Sequence, residues 1–547
     1  MKRKILMLVT LLLSIAMVFS ACVVQEGSKG GTDQNGTGDV VKAPDKLRIF
    51  YVTQGATVPE DFDYQNNTIL NLIAKAANVE IVEAIVPPWS DIVTKYNLMM
   101  SSGNICDVVH YNGPQTINND GKNGAFLDLT SVINNSAIIK ERYSNFLEQL
   151  KAEDGKIYAL RALPADGDIN MCFYFRWDVL QDLGYTEATI PDTLDEWIEA
   201  MRKLKQKYPD AIPYTSMDNL HWSEFVFSCY GITGRGTAWQ EYFGKAIHSF
   251  EHPLIKDALS TYKMMLDEGL MDPEFITSKR ADFDAKRWNK KVLINQQNLG
   301  AAMVFASRYM SNNIPEARTV PGIWPFVDDP RVDPASIYEG ILPVGNSVVA
   351  IASTSKVKDA AIRFVEEMLS EETQTYITWG IEGVDYEVVN GEKQQILDDG
   401  SGTQNFTQAK SLYNWLFAVN TRMNIEKSFK ATLNAIKNAN PGITQAELDE
   451  YSRISWKYFN KALEINNSYP TYVLNKFITL NDDTAARATE AANEALIIVT
   501  KAMRGDISLD EFDVQAANFL EKYKFITEEY NQKLPAAYKL VGREYGK

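Results

Sequence analysis

Few residues of this sequence have the types and spacing that could bind a metal ion. Asp166, Asp168 and Asn170 alternate as the first ligands of a calcium-binding loop do. Met171 then stands where such a loop needs glycine, and Trp177 stands where it needs a glutamate that binds with both oxygens. We therefore expect no calcium site, no other metal site and no cofactor.

Sequence motifs of enzymes are missing as well. The four histidines, His110, His221, His248 and His252, form no H-E-x-x-H motif, and there is no G-x-S-x-G nucleophile elbow and no Walker sequence G-x-x-x-x-G-K-[ST]. We therefore expect a protein that is not an enzyme. The chain has 71 acidic residues, so a pair of carboxylates that cleaves glycans stays open as an alternative.

An aromatic side chain beside an amide is a pattern that could bind a sugar. Sugars present flat C–H faces flanked by hydroxyls, so a protein that binds them needs aromatic rings and polar groups together in a cleft. Tyr111 and Asn112 form such a pair. They follow directly after a predicted strand. Whether they can bind a ligand therefore depends on where this strand ends in the fold.

The elements that position this pair alternate between strands and helices. From the spacing of apolar residues we predict strands at 47–52, 79–86 and 107–111 and helices at 67–77 and 90–101. Such alternation implies right-handed crossovers and a largely parallel sheet. Ligands bind beyond the carboxyl ends of the strands in open sheets of this kind, which places residues 52–55 and 111–114 at a candidate cleft.

The middle and the end of the chain are rich in predicted helices. Thr193 and Glu196 form a capping box that begins a helix over 194–207, and the apolar stripe of this helix makes Trp197 a core residue. We also predict helices at 178–183 and 356–369, strands at 300–305 and 348–352, and mainly helix from residue 408 onward.

The amino terminus has the order of a secretory signal peptide. Basic residues 2–4 precede an apolar run over 5–19, and two small residues then precede Cys22. Residues 19–22 resemble a bacterial lipobox, with phenylalanine where leucine is usual, in which Cys22 becomes the lipidated first residue. The alternative is a retained membrane helix, but the run is shorter than the ~20 residues that a spanning helix needs. We therefore expect residues 1–21 to be removed and residues 22–45 to form a lipidated, disordered, glycine-rich tether.

Composition excludes some classes of partner. The formal net charge of −16 argues against nucleic acid and anionic lipid surfaces. After Cys22 only Cys106, Cys172 and Cys229 remain, without C-x-x-C spacing, which predicts buried thiols or at most one disulfide and no zinc site. The remaining ~500 residues are too many for one simple hydrophobic core, so we predict two or three folded units.

Four sequence blocks together resemble the family 1 extracellular solute-binding proteins. Residues 95–107 (KYNLMMSSGNICD) are similar to the K-x-N-L-M-x-A-S-G-D-x-P-D segment of that family, with Asn104 and Cys106 in place of its Asp and Pro. Residues 174–197 resemble the family's Y-R-x-D-x-L-x-x-L-G sequence followed by P-x-T-x-x-E-W. Residues 379–386 (WGIEGVDY) resemble the G-x-E-G-x-x-Y signature of a large lipid-anchored branch. Residues 504–512 resemble the start of the family's C-terminal helix.

The resemblance implies an α/β fold of the type II periplasmic-binding-protein kind, with two discontinuous lobes joined by a hinge and a helix-rich C-terminal part. The N-terminal lobe would hold residues 46–165 and 346–455, and the C-terminal lobe residues 166–345 and 456–547. The chain would cross between the lobes near 161–168, near 340–346 and between 451 and 472.

The resemblance also implies a function. Family ligands are mostly oligosaccharides, which are passed to the two permease subunits of an ABC importer. An ATPase on a partner chain drives this transport. We therefore expect an extracellular monomer, held at the cell membrane by its lipid anchor only, that closes on an oligosaccharide between its lobes. A secreted glycan-active enzyme and a surface glycan adhesin are the alternatives.

Comparison with the family assigns ligand contacts to aromatic residues and two polar neighbours. The predicted ligand-binding residues are Tyr111, Asn112, His221, Trp222, Tyr309, Trp379 and Tyr386. For each of them, packing in the core is the competing interpretation, as it is for Trp324. Arg161, Arg176 and Arg308 could pair with an acidic sugar, although an ion pair within the protein is the more common fate of such side chains.

Overall fold

A computed structural model of the chain describes residues 43–545, except 54–61, 89–90, 164–171, 290, 339–343, 390, 397–412, 414 and 417–420. The predicted signal peptide, lipid attachment site and almost all of the tether lie outside the described residues. So do the calcium-loop-like segment 166–170 and parts of the first two predicted crossovers. Within the described residues, no helix is long and apolar enough to span a bilayer.

The strands of the described chain are short. In chain order they are β1 (Asp45–Phe50), β2 (Val79–Ile85), β3 (Val108–Asn112), β4 (Leu160–Arg161), β5 (Cys172–Arg176), β6 (Trp239–Tyr242), β7 (Lys245–His248), β8 (Ile294–Gln297), β9 (Thr319–Pro321), β10 (Ser347–Ile351), β11 (Tyr386–Val389) and β12 (Glu392–Gln395).

The longest α-helices lie toward the carboxyl terminus. They are α1 (Thr68–Ala76), α2 (Ile92–Ser102), α3 (Pro114–Lys122), α4 (Thr130–Asn135), α5 (Ala137–Tyr143), α6 (Leu147–Leu150), α7 (Trp177–Asp182), α8 (Leu194–Lys207), α9 (Glu224–Cys229), α10 (Ile255–Asp267), α11 (Arg280–Asn289), α12 (Leu299–Val304), α13 (Ala306–Ser311), α14 (Lys358–Met368), α15 (Glu371–Trp379), α16 (Thr421–Ala439), α17 (Gln445–Ser468), α18 (Leu474–Phe477), α19 (Asp482–Arg504), α20 (Leu509–Lys522) and α21 (Lys524–Leu540).

Helix boundaries follow from capping residues in the sequence. Asn67 precedes α1 and its side chain accepts a hydrogen bond from the Leu70 N–H. Thr193 and Glu196 form the predicted capping box at the start of α8. α2 ends at Gly103, which adopts the left-handed conformation (φ 67°) that glycine allows without strain.

The first sheet has the strand order β2-β1-β3-β10-β4. The structure confirms the four predicted strands of this sheet within two residues at each end. The prediction of a largely parallel sheet is wrong for one half of it: β1 lies parallel to β2 and β3, but β10 lies antiparallel to β3 and β4. Helical crossovers fix the direction of consecutive strands only, and β10 arrives from a distant part of the chain.

The second sheet has the order β8-β5-β9, and both of its strand pairs are antiparallel. The strand predicted at 300–305 is wrong, because this segment is the helix α12. Its buried residues Leu299, Ala302 and Met303 have helical spacing, and the strand β8 lies just before it. Short apolar runs do not distinguish a strand from a buried helix by periodicity alone.

Buried apolar side chains gather around the two sheets. Those around the first sheet include Tyr413 and Trp415, whereas Ile425, Phe429 and the buried residues of the later long helices pack around the second sheet. The lobe boundaries stay a prediction.

A candidate ligand-binding site

Helix α11 gathers arginines and aromatic rings around Trp222. Arg280 and Arg287 are seven residues apart, about two helical turns, and therefore lie on one face of this helix. We call the resulting group the arginine–aromatic cluster. Its members are Trp222, Arg280, Phe283, Arg287, Trp288, Phe305, Arg308 and Tyr309.

The loop that carries Trp222 has a strained backbone. Asn219, Leu220 and Trp222 have φ angles of 57°, 57° and 62°, in the left-handed region that side chains larger than glycine disfavour. Tyr214, whose side chain is fully buried, holds the loop because its hydroxyl donates to the carbonyl oxygen of Trp222 (3.0 Å). Strain of this kind is kept where surrounding structure enforces it, and it concentrates at binding sites.

The half-buried indole of Trp222 faces one ring and two cations. Its ring centroid lies 5.2 Å from that of Phe283. The guanidinium carbons of Arg280 and Arg287 lie 5.1 and 5.7 Å from the indole centroid, within the range of a cation–π attraction. The Trp222 side chain is thus positioned by α11.

Arg287 lies at the centre of the cluster with no exposed surface. Its guanidinium carbon is 4.3 Å from the ring centroid of Trp288 and 4.7 Å from those of Phe283 and Phe305. Its Nη2 donates to Asp284 (2.5 Å), whereas its Nε and Nη1 have no hydrogen-bond acceptor in the described part of the chain. Buried charged groups without full pairing are costly, so this arrangement needs an explanation.

Two further arginines lie at the exposed rim of the cluster. Arg280 pairs through Nε with Asp284 (2.7 Å), the same carboxylate that Arg287 uses. Arg308 has its guanidinium 5.2 Å from the Phe305 ring. Protein atoms crowd Arg308 although much of it stays exposed, and this desolvation, followed by repulsion from Arg287 and Arg280, lowers the pKa of Arg308.

Tyr309 belongs to the base of the cluster rather than to its surface. It is fully buried, and its ring lies edge-on to Trp288 (4.8 Å between centroids). Its hydroxyl is 3.2 Å from that of Tyr174 on β5. Arg176 lies over the ring at 4.6 Å and is itself paired with Asp178 (2.5 Å), so Arg176 has the structural ion pair that the sequence favoured.

Tyr111 and Asn112 lie at the end of β3 in the first sheet. The Tyr111 ring is buried and stacks on Tyr96 from α2 at 4.4 Å, while Asn112 is exposed and pairs with Ser347 in register. The preceding residue, His110, is fully buried, and burial lowers the pKa of its imidazole to about 3, so it is neutral at physiological pH.

Trp379 and Tyr386 form a separate pair. Trp379 ends α15, Tyr386 begins β11, and their ring centroids are 6.0 Å apart. Lys393 from β12 lies 5.4 Å from the Tyr386 centroid. The structure thus brings these two predicted residues together.

His221 and Glu224 flank Trp222 along the chain. His221 keeps a large exposed surface, yet crowding by protein atoms and the nearby Arg235 lower the pKa of its imidazole. Glu224 pairs with Arg235 (2.9 Å) and accepts from Gln296 (3.0 Å), and burial raises the pKa of its carboxyl. Its side chain is partly exposed, and it is the carboxyl nearest in sequence to Trp222.

Arg161 occupies a different position, at the edge of the first sheet. It is buried, and its Nε donates to the carbonyl oxygen of Gly345 (2.8 Å) while its Nη1 lies 3.4 Å from that of Lys476. Its guanidinium lies 5.2 Å from the Phe477 ring, and burial lowers its pKa to about 10. Arg161 therefore connects three distant chain segments.

Other predicted features are settled by packing. Trp324 is buried against Phe173 and Phe225, which supports its interpretation as a core residue. Three cysteines are buried and carry thiols rather than disulfide bonds, namely Cys106, Cys172 and Cys229. In the part of the chain that the structure describes, no group of His, Cys, Asp and Glu side chains could hold a metal ion.

The sequence missed several members of the cluster. Arg280, Phe283, Arg287 and Trp288 all lie on α11, and the spacing of Arg280, Phe283 and Arg287 was the available signal. Trp222 and Tyr309, which were predicted, are joined through these missed residues.

Comparison with known proteins identifies relatives of the whole fold. A model of the bacterial extracellular solute-binding protein family matches residues 55–375, more than half of the chain. Lipoprotein LipO of Bacillus subtilis (strain 168) is 24% identical over 400 residues, which cover 69% of this chain and 74% of LipO.

Solved structures show the same fold at low sequence identity. The crystal structure of the alginate-binding protein AlgQ2 without calcium ion has a TM-score of 0.68 at 17% identity and covers 92% of this chain and 100% of its own. The HMO binding, ABC-transporter associated solute binding protein from Bifidobacterium longum infantis has a TM-score of 0.67 at 14% identity, with the same coverage. The fold is thus the mixed α/β, type II periplasmic-binding-protein fold.

Proposed function

Because the chain belongs to the family of bacterial extracellular solute-binding proteins, we propose that it captures an extracellular oligosaccharide and delivers it to the permease of an ABC importer. The arginine–aromatic cluster carries this proposal. It places the half-buried rings of Trp222 and Trp288 beside polar groups, as a sugar-binding surface requires. The permease subunits and their ATPase would be separate chains.

The relatives support a carbohydrate as the ligand. AlgQ2 is an alginate-binding protein, and the Bifidobacterium protein is described as HMO binding. Both cover 92% of this chain. The Trp222 side of the proposed site lies with the second sheet, and Tyr111 and Asn112 would supply the side that lies with the first sheet.

Capture would proceed by closure of two lobes. A ligand that contacts both sides binds the closed form more tightly than the open form, and this difference in affinity shifts the population toward closure. Arg161 supports a hinge near the first sheet, because it joins β4 to the carbonyl oxygens of Gly345 and Lys476. Each of these segments lies close to one of the three predicted crossovers.

The protein would act from the outer face of the cell membrane. Its relative LipO is a lipoprotein, and Cys22 follows an apolar run in the manner of a lipid attachment site. We propose that Cys22 carries the lipid anchor and that the chain is a monomer. Loss of palmitate labelling in Cys22→Ser tests the anchor, and labelling that persists would reject it.

A thermal-shift screen against oligosaccharides tests the proposed function. The full chain, purified in mild detergent, should melt at a higher temperature with its oligosaccharide, since a ligand at 100 times its dissociation constant stabilises the folded state by about 2.7 kcal/mol. Monosaccharides and amino acids serve as controls. A panel in which no oligosaccharide raises the melting temperature would contradict the proposal.

A further inference from the structure

Three guanidinium groups of the arginine–aromatic cluster lie near one carboxylate, that of Asp284. Asp284 pairs with both Arg280 and Arg287, at 2.7 and 2.5 Å. Arg308 has no ion pair within the described residues, and Asp284 is also the acidic side chain whose charge acts on it. Among the described residues, two positive charges of the cluster are therefore left without a paired carboxylate, in a chain whose formal net charge is −16.

The uncompensated charge is partly buried. Arg287 has no exposed surface, and its Nε and Nη1 lack acceptors among the residues that the structure describes. The surrounding rings attract the cation but accept no conventional hydrogen bond. A guanidinium group in this state favours an anion, because carboxylates bind its fork-shaped donors in pairs.

The exposed arginines at the rim of the cluster favour a ligand-binding surface over a purely structural role. Arg280 and Arg308 are exposed and could turn into water, away from Arg287. Both remain close enough for their charges to repel one another, with Arg308 over Phe305 at 5.2 Å and Arg280 over Trp222 at 5.1 Å. The half-buried rings of Trp222 and Trp288 are thus bordered by cations.

We propose that the arginine–aromatic cluster binds the carboxylate of an acidic sugar residue while the sugar ring packs against Trp222. The ligand would then be an oligosaccharide that contains uronic or sialic acid. This inference rests on the proposed function and adds the charge of the ligand. A chain with a strong negative charge repels such a ligand elsewhere on its surface, so a local positive site is needed to hold it.

Calorimetry on the full chain in mild detergent tests the inference. The probes are galacturonate, mannuronate, guluronate and glucuronate oligomers and sialyllactose, each paired with its methyl ester, which keeps the size and removes the charge. Neutral and sulfated oligosaccharides of the same length are measured beside them. At least one acidic oligosaccharide should bind, and its methyl ester should bind with an affinity lower by about tenfold or more. Raised salt should lower the affinity for the acid and leave that for the ester unchanged. The substitutions Arg308→Gln and Arg280→Gln should each lower the affinity for the acidic oligosaccharide by about tenfold.

Arg202→Gln is the matched control. Arg202 is an exposed arginine on α8 that pairs with Glu268 (2.6 Å), so its loss should leave the affinity unchanged. Binding of neutral oligosaccharides without any acid would overturn the inference and keep the proposed function. Binding of sulfated sugars only, or wild-type affinity for the acid in a folded Arg280→Gln/Arg308→Gln double variant, would also overturn it. If no sugar binds, both proposals fail.

Discussion

Trp222 is the residue at which a strained backbone, an aromatic face and nearby cations coincide. We expect Trp222→Ala to weaken oligosaccharide binding by ~1–3 kcal/mol, because the sugar loses the apolar face against which it packs. Isothermal calorimetry with the ligand found in the thermal-shift screen measures this change.

Trp197→Phe is the control for Trp222→Ala. Trp197 is 1% exposed and packs edge-on against Phe173 among the buried residues around the second sheet. Its replacement should lower the melting temperature and leave the affinity unchanged. Wild-type affinity in a folded Trp222→Ala variant would remove Trp222 from the site.

Individual residues of the site could be predicted only in part from sequence. Trp222 could be singled out by its place in a family pattern. Arg287 could not, because its importance depends on rings from two other chain segments and on the loss of solvent around it. Likewise, Tyr111 is recognisable after a strand, but the stacking of Tyr96 on its ring depends on how α2 packs.

At the scale of elements, strong local sequence signals predicted helices and strands correctly, whereas ambiguous signals did not. The capping box at α8 and the alternating elements up to β3 appear where the sequence predicts them. Residues 299–304 form a helix, because a short apolar run fits either conformation and its packing partners decide. The antiparallel direction of β10 depends on long-range topology that no local pattern encodes.

The junction at Arg161 is the element-scale feature with a testable role. We expect Arg161→Met to impair closure, because it removes the donors that join β4 to the Gly345 and Lys476 carbonyl oxygens. Hydrogen bonds from charged groups contribute about 1.5–3 kcal/mol each. Small-angle scattering with and without saturating oligosaccharide should show a smaller decrease in the radius of gyration than in the wild-type protein.

Arg363→Met provides the comparison for the junction. Arg363 also donates to a backbone carbonyl, that of Ala77, and pairs with Asp45, but it does so on the first sheet's side alone. This variant should lose stability and close normally. A folded Arg161→Met variant that closes as fully as the wild-type protein would mean that Arg161 does not act in a hinge.

At the scale of the whole molecule, the order of the family blocks predicted the fold, and the family match and the shared fold of AlgQ2 confirm it. The lobe boundaries stay a prediction, since long helices carry similar apolar stripes whichever core they join. The packing of Ile425 and Phe429 around the second sheet illustrates this. Ligand capture without chemistry is the claim that unites these observations.

Recovery of the bound sugar tests that claim most directly. The purified chain is saturated with the oligosaccharide that stabilises it, the stoichiometry is measured by calorimetry, and the sugar is recovered after prolonged incubation and analysed by mass spectrometry. We predict one oligosaccharide per chain, recovered intact. Shorter products that accumulate with time, and that disappear in a Glu224→Gln variant lacking the carboxyl with the raised pKa, would contradict the account and identify an enzyme.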